Sequence, residues 1–218
     1  MSFSYSYIAV KSSILELQNA FFVAWPTFEV AEPPQEFPCW DEAYAWAIPR
    51  CGYLKGTHPN DVKFLFRDNQ WSVLADISLC MASDQESLAE LSRRLGSLVV
   101  ATTQGTAGFA QLLVFEAGKE IRSITGEDGH TVKKGDALPH EADIPPEHFY
   151  LDELDTIWQR LGLSSFLSSD PKGPVVALHV LDRTPYPQVA PAQPSSPVLS
   201  ETRRRWWRFW QSNELFAV

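Results

Sequence analysis

The side chains best suited to chemistry here are five histidines and three cysteines, and their spacing gives little support to catalysis. His58, His130, His140, His148 and His179 never fall four apart on a helix or three to five apart in a loop, the separations that bring two imidazoles to one metal ion. His140, Glu141, Asp143, Glu147 and His148 make one donor-rich stretch, which reads first as a solvated acidic loop. An enzyme whose site draws on His140, Glu141, Asp143 and His148, assembled only in the folded chain, is the alternative. His179 lies inside an apolar run and reads as a hydrogen-bonded core residue.

Cys39, Cys51 and Cys80 are an odd number at wide spacing, which suits reduced thiols better than a disulfide framework or a paired zinc site. Cys80, between Leu79 and Met81, reads as a structural thiol buried among apolar neighbours. The G-x-S-x-G nucleophile elbow and the glycine-rich phosphate loops are both missing. Gly126-Glu127-Asp128-Gly129 would repel a phosphate and reads as a turn. These residues lead us to expect no metal, no cofactor and a protein that is not an enzyme.

Charge is more informative. Glu127, Asp128, Asp136, Glu141, Asp143, Glu147, Asp152, Glu153 and Asp155 face only Lys133 and Lys134 between residues 127 and 155, so one side of the molecule is expected to be strongly negative. Such a face draws in and holds basic partners. Glu127, Asp128, Asp136, Glu141, Asp143, Glu147 and Asp152 are the expected contact residues. The last stretch has the opposite character: Arg203, Arg204, Arg205 and Arg208 interleave with Trp206, Trp207, Phe209 and Trp210. With Glu201 and Glu214, residues 201–218 carry +2, which leaves −11 on residues 1–200 out of a net −9. An acidic body disfavours phosphate-backbone binding, so nucleic acid is not the expected partner of the body.

On a helix Trp206, Phe209 and Trp210 would share a face. Arg204, Arg205, Trp206, Trp207 and Trp210 are therefore candidates for docking on the chain's own body or on a protein partner. A membrane surface and a stacked nucleic acid are the two other readings of this tail. The Pro/Ser-rich stretch 184–200 that precedes it reads as a linker. The expected organisation is one domain over 1–183, that linker, and the tail over 201–218.

An apolar fraction of 44% with 21% charged residues is enough to bury a core. Residues 1–11 lack the features of a secretory leader and no apolar run approaches a membrane span, so a cytoplasmic location is expected. Alternating residues predict a strand over 2–11, and Ser12 or Ser13 caps a helix over 13–24 that Pro26 stops. Residues 26–38, with four prolines, read as loop, and Asp41 as the cap of a short helix ending before Pro49. Two apolar runs around Asp68-Asn69-Gln70 predict a hairpin over 62–78.

Ser83 or Asp84 then caps a helix closed by Gly96. Strands over 98–104, 108–116 and 120–125 follow at spacings that force antiparallel neighbours. Residues 126–148 read as loop, 149–161 as helix and 174–181 as a central strand. The expected class is α+β, a mainly antiparallel sheet of about six strands carrying three to four helices.

Across residues 62–165, the strand, acid-capped helix and three meandering strands from Trp71 to Thr125 precede a loop ending Asp136-Ala137-Leu138-Pro139. They are followed by a helix ending Trp158-Gln159-Arg160-Leu161-Gly162-Leu163. This order resembles small bacterial proteins of unknown function, several of which are similar to immunity proteins of polymorphic or secretion-system toxins. The resemblance implies a cytosolic protein that binds and blocks a cognate toxin. It transfers no catalytic residue, and the chain after 183 departs from it. The expectation is a binding protein that occludes a basic partner with its acidic side, its oligomeric state left open.

Overall fold

The computed structural model describes residues 4–52, 59–145, 147–167 and 170–183. The expected linker and the tail residues Arg204, Arg205, Trp206, Trp207 and Trp210 lie outside them, as does His58.

The class is α+β, and the sheet holds ten strands rather than six. The strands are β1 (Ser4–Val10), β2 (Phe28–Val30), β3 (Gln35–Phe37), β4 (Asn60–Asp68), β5 (Trp71–Asp76), β6 (Leu98–Gln104), β7 (Phe109–Glu116), β8 (Lys119–Glu127), β9 (His130–Lys134) and β10 (Val175–Asp182). They pair in the order β2-β10-β4-β5-β1-β6-β7-β8-β9, with β3 sharing the outer side of β10 with β2. Every pairing is antiparallel. Among the described residues four α-helices accompany the sheet: α1 (Ile14–Ala24), α2 (Trp40–Ala47), α3 (Gln85–Leu95) and α4 (Leu151–Arg160).

Side chains alternate across a strand, so each central strand feeds two cores. Leu65, Leu74, Leu98 and Val100 pack with Leu17 and Phe21 of α1 and with Leu88 and Leu91 of α3. Phe64, Phe66, Val73 and Val99 pack on the other face with Trp40 of α2 and with Leu154, Ile157 and Trp158 of α4. All seven residues of β6 are buried, because helices cover the sheet on both sides.

The local chemistry explains most boundaries. Ser13 caps α1 in a capping box, its hydroxyl accepting from the Glu16 amide at 3.2 Å while Glu16 accepts from the Ser13 amide at 2.8 Å. Asp84 caps α3 by accepting from the Ser87 amide at 3.1 Å. Asn69, in the left-handed region, turns β4 into β5. Ala117-Gly118 and Asp128-Gly129 have positive φ at both positions, the geometry of type I′ turns joining β7 to β8 and β8 to β9.

Three expectations are corrected. Residues 26–38 contain β2 and β3, each three residues long, which are held by the otherwise open side of β10 rather than by any periodicity of their own. The loop read over 126–148 contains β9. Asp41 does not cap α2, which starts one residue earlier after Cys39. Asp41 instead sits in the first turn, where the helix dipole favours its charge. β10 is interior, as expected, between β4 on one side and β2 and β3 on the other.

Gly126 fixes one contact that matters below. A Cβ there would lie 1.7 Å from the carbonyl oxygen of Phe149, so only glycine lets the segment leading into α4 cross β8. Gly126→Ala is therefore expected to cost about 1–3 kcal/mol, read as a lower urea midpoint at unchanged slope.

Candidate functional site

Four of the predicted acids come together. The β8–β9 turn presents Glu127 and Asp128, both exposed, and Glu127 pairs across the turn with His130. The Thr131 hydroxyl donates to the Glu147 carbonyl at 3.1 Å, which brings exposed Glu147 alongside β9. His148 stacks on Tyr150 at 6.3 Å, and the Tyr150 amide donates to Glu153 at 2.9 Å to open α4, whose first turn exposes Asp152. Glu127, Asp128 and Glu147 thus lie at the start of β9, and Asp152 follows two residues after Tyr150, whose hydroxyl lies near Gly129 of the turn. Asp136 and Asp143 are exposed too, but Asp136 follows the far end of β9, which lies about 13 Å from its start at roughly 3.3 Å per residue.

β9 is the outermost strand at this end. Among the described residues it pairs with β8 alone, and Val132 at its middle is 58% exposed.

Two of the predicted acids do not belong to the surface. Glu141 is buried and paired with Arg122 of β8, whose Nε and Nη2 donate to its two oxygens at 2.7 and 2.5 Å. The same guanidinium donates to the Lys134 and Gly135 carbonyls at 3.2 and 2.7 Å, so it clamps the chain as it leaves β9. Glu141 is therefore withdrawn from the contact set: it lost its solvent to a partner 19 residues earlier. Asp155 is buried as well, accepting from the Phe166 amide at 3.0 Å and from Ser165 and Gln159.

Burial pushes the Glu141 carboxyl up, but hydrogen bonds from Arg122 and the Leu138 amide, with the Arg122 charge, hold it below the ordinary 4.5. A lowered folded pKa stabilises above the unfolded value, and that stability is lost as pH falls through the folded one. Glu141→Gln is expected to cost about 2 kcal/mol at neutral pH, since one acceptor for Arg122 remains. The gap from wild type should narrow below about pH 4, as thermal melts across pH would show.

Among the described residues, His140, Glu141, Asp143 and His148 are not a group whose ligand atoms lie close enough to share a metal ion. Glu141 is taken up by Arg122, while the His140 backbone carbonyl accepts from Arg160 at 3.1 Å and the His148 ring stacks on Tyr150. His179 is partly buried and hydrogen-bonded, its Nδ1 2.8 Å from Glu32 and its Nε2 3.0 Å from Asn60.

Among the described residues, Asp61, Asp76 and Cys80 are the one group whose ligand atoms lie close enough to share a metal ion. That place is already held by a cation of the chain. The Lys63 ammonium, fully buried, donates to Asp61 at 2.6 Å, to Asp76 at 2.5 Å and to the Ser78 hydroxyl at 2.8 Å, with the Cys80 sulfur at 3.4 Å. Backbone amides complete the set: Val62 donates to Asp61 at 2.7 Å and Met81 to Asp76 at 2.9 Å. A divalent ion would meet the ammonium head-on, so the donor set does not fit a metal and reads as an internal anchor tying β4 to β5.

Electrostatics follow from that geometry. Burial alone would lower the Lys63 pKa, but Asp61 and Asp76 drive it well above its ordinary value. Burial raises Asp76, yet the Lys63 charge with hydrogen bonds from Lys63, Ser78 and Met81 brings it below the usual carboxylate value. Asp61 stays above its ordinary value, burial outweighing Lys63. Burial and then Asp76 push the Cys80 thiol well up, which keeps it protonated and unreactive. Cys80 is half-buried rather than buried, and its surroundings are ionic rather than apolar. The sequence did hold a trace of this network, in charged Asp61, Lys63 and Asp76 set within apolar strands.

No protein-family model, no curated protein and no solved structure matches this chain.

Proposed function

We propose that this chain is a cytoplasmic protein-binding module, an inhibitor of the immunity type that occludes a basic partner such as a bacterial toxin. The observation that carries the reading is that exposed Glu127, Asp128, Glu147 and Asp152 flank an outer strand with one side unpaired among the described residues. A body carrying −11 attracts a basic surface over many ångströms and raises its association rate. The acids then fix orientation through charge-assisted hydrogen bonds.

β9 adds a second means of recognition. An extended segment of a partner can pair with its free backbone groups, and exposed Val132 supplies apolar area. Lys133 and Lys134 on the same strand oppose indiscriminate pairing with other edges. No other step is required of the mechanism: the inhibitor covers, and it does not transform.

Site-specific photocrosslinking tests this. A benzophenone amino acid placed at Val132 should capture one basic protein in lysate of the source organism, and the same probe at Leu15, exposed on α1, should not. Equal capture from both positions, or none from Val132, would overturn the reading.

A further inference from the structure

The hairpin that ends the sheet decides which backbone groups of β9 are spare. Asp128 and Gly129 form a two-residue turn of type I′, so the flanking residues Glu127 and His130 exchange both backbone bonds. Bonded and non-bonded pairs then alternate along the antiparallel ladder. Val132 and Lys134 turn their backbone groups toward β8, opposite Thr125 and Ser123, while Thr131 and Lys133 turn theirs outward. No described residue bonds to the backbone of Thr131 or Lys133 on that outer side.

The flanking chain runs over the neighbouring strand instead of along this edge. After Lys134 it turns back over β8: a Cβ on Gly135 would lie 2.0 Å from the Ile121 carbonyl oxygen, and Arg122 holds the Lys134 and Gly135 carbonyls. Before α4 it crosses β8 at Gly126 and meets the side chain of Thr131 rather than its backbone.

The strand is also complementary to itself. Two copies of β9 laid antiparallel overlap along all of His130–Lys134 only when Val132 faces Val132. In that register Thr131 of each copy faces Lys133 of the other, and these are the residues whose spare N–H and C=O groups point outward, so the ladder bonds can form. The two Val132 side chains, each 58% exposed in the single chain, meet in a non-bonded pair, where side chains approach most closely. Lys133 of one copy comes beside Thr131 and Glu147 of the other, and Lys134 comes opposite His130, which itself faces Glu127. Each pair of lysines thus meets the acidic end of the other copy. A register centred on Lys133 would set like charges against each other, and one centred on Thr131 would shorten the overlap.

We propose that β9 pairs with β9 of a second copy of this chain, joining the two sheets across a two-fold axis at Val132. The contact is small, so the dimer is weak and a basic partner can displace it. The inference concerns a different occupant of the strand and stands whether or not such a partner binds.

Sedimentation velocity of the purified full chain at about 0.15 M salt, where repulsion between the two net charges of −9 is screened beyond about 8 Å, tests it. The weight-average coefficient should rise with concentration to that of a dimer and no further. Lys133→Pro removes an outward N–H, which an edge strand tolerates, and should weaken the dimer about tenfold. Lys133→Glu, which leaves the backbone intact and sets an acid beside Glu147, should weaken it too. Val132→Cys should form an intermolecular disulfide in glutathione buffer above the wild-type level, since facing Cα atoms of a non-bonded pair lie about 4.5 Å apart. Leu15→Cys, also exposed but on α1, should not. A chain that stays monomeric at every concentration, leaving β9 to a basic partner alone, would overturn the proposal. So would a dimer insensitive to both Lys133 variants, or equal cross-linking from Val132→Cys and Leu15→Cys.

Discussion

Lys63→Met is expected to lower stability by about 3–5 kcal/mol, the cost of leaving buried charges without their partner. For a domain of this size that is a fall of about 6–20 °C in melting temperature. Asp61 and Asp76 are both fully or almost fully buried, and each loses the ammonium 2.6 or 2.5 Å away. Methionine keeps most of the volume, so the loss measures charge rather than cavity.

The pH dependence separates the two further. Without Lys63 the buried carboxylates must take up protons, so their folded pKa values rise above the unfolded ones. Stability from a raised pKa is present at low pH and lost as pH rises, so the variant's deficit should grow from about pH 5 to about pH 8. In the Asp61→Asn/Lys63→Met/Asp76→Asn triple variant none of the network's buried charges remains, and the deficit should be smaller than for Lys63→Met alone. A single variant as stable as wild type would show that the network contributes nothing to folding.

Trp158→Ala is expected to cost about 3–5 kcal/mol in urea unfolding, as deletion of a large buried ring does. Trp158 is 2% exposed, sits on α4 and packs against Tyr7 of the central strand β1 and against Phe166. With Leu154 and Ile157 it holds α4, and with it Asp152 and the 147–150 segment, to the sheet. Leu15→Ala, at a position 65% exposed, should stay within about 0.5 kcal/mol and serves as the control. A Trp158→Ala loss under about 1 kcal/mol would mean that α4 is anchored elsewhere.

The elements legible in the sequence are those set by short-range chemistry. Ser13 with Glu16, Asp84 with Ser87, and Asn69 between two apolar runs each announce a boundary through residues no more than a few positions apart. β2 and β3 have no such mark: three-residue strands exist only because β10 offers them a side to pair with. β9 was legible in part, since Asp128-Gly129 between Ile124-Thr125 and Thr131-Val132 is a type I′ hairpin pattern. The acid-rich composition around it drew the reading toward loop.

The candidate face was half legible for a related reason. Sequence distinguishes an acid from its neighbours but not an exposed acid from a paired one. Glu141 and Asp155 look like Glu147 and Asp152 until Arg122, and the Ser165 hydroxyl with the Phe166 amide, fold onto them. The Lys63 anchor is legible only as an anomaly, because its three charged members lie up to 15 residues apart and meet across a strand pair.

The central claim is that Glu127, Asp128, Glu147 and Asp152 hold a basic partner. Affinity capture from source lysate with the wild-type chain and with the Glu127→Gln/Asp128→Asn/Glu147→Gln/Asp152→Asn variant, each at low and high salt, tests it most directly. The account predicts one basic protein retained by wild type at low salt, released at high salt and not retained by the variant. Retention of the same protein by both chains, or of none by wild type, would contradict it.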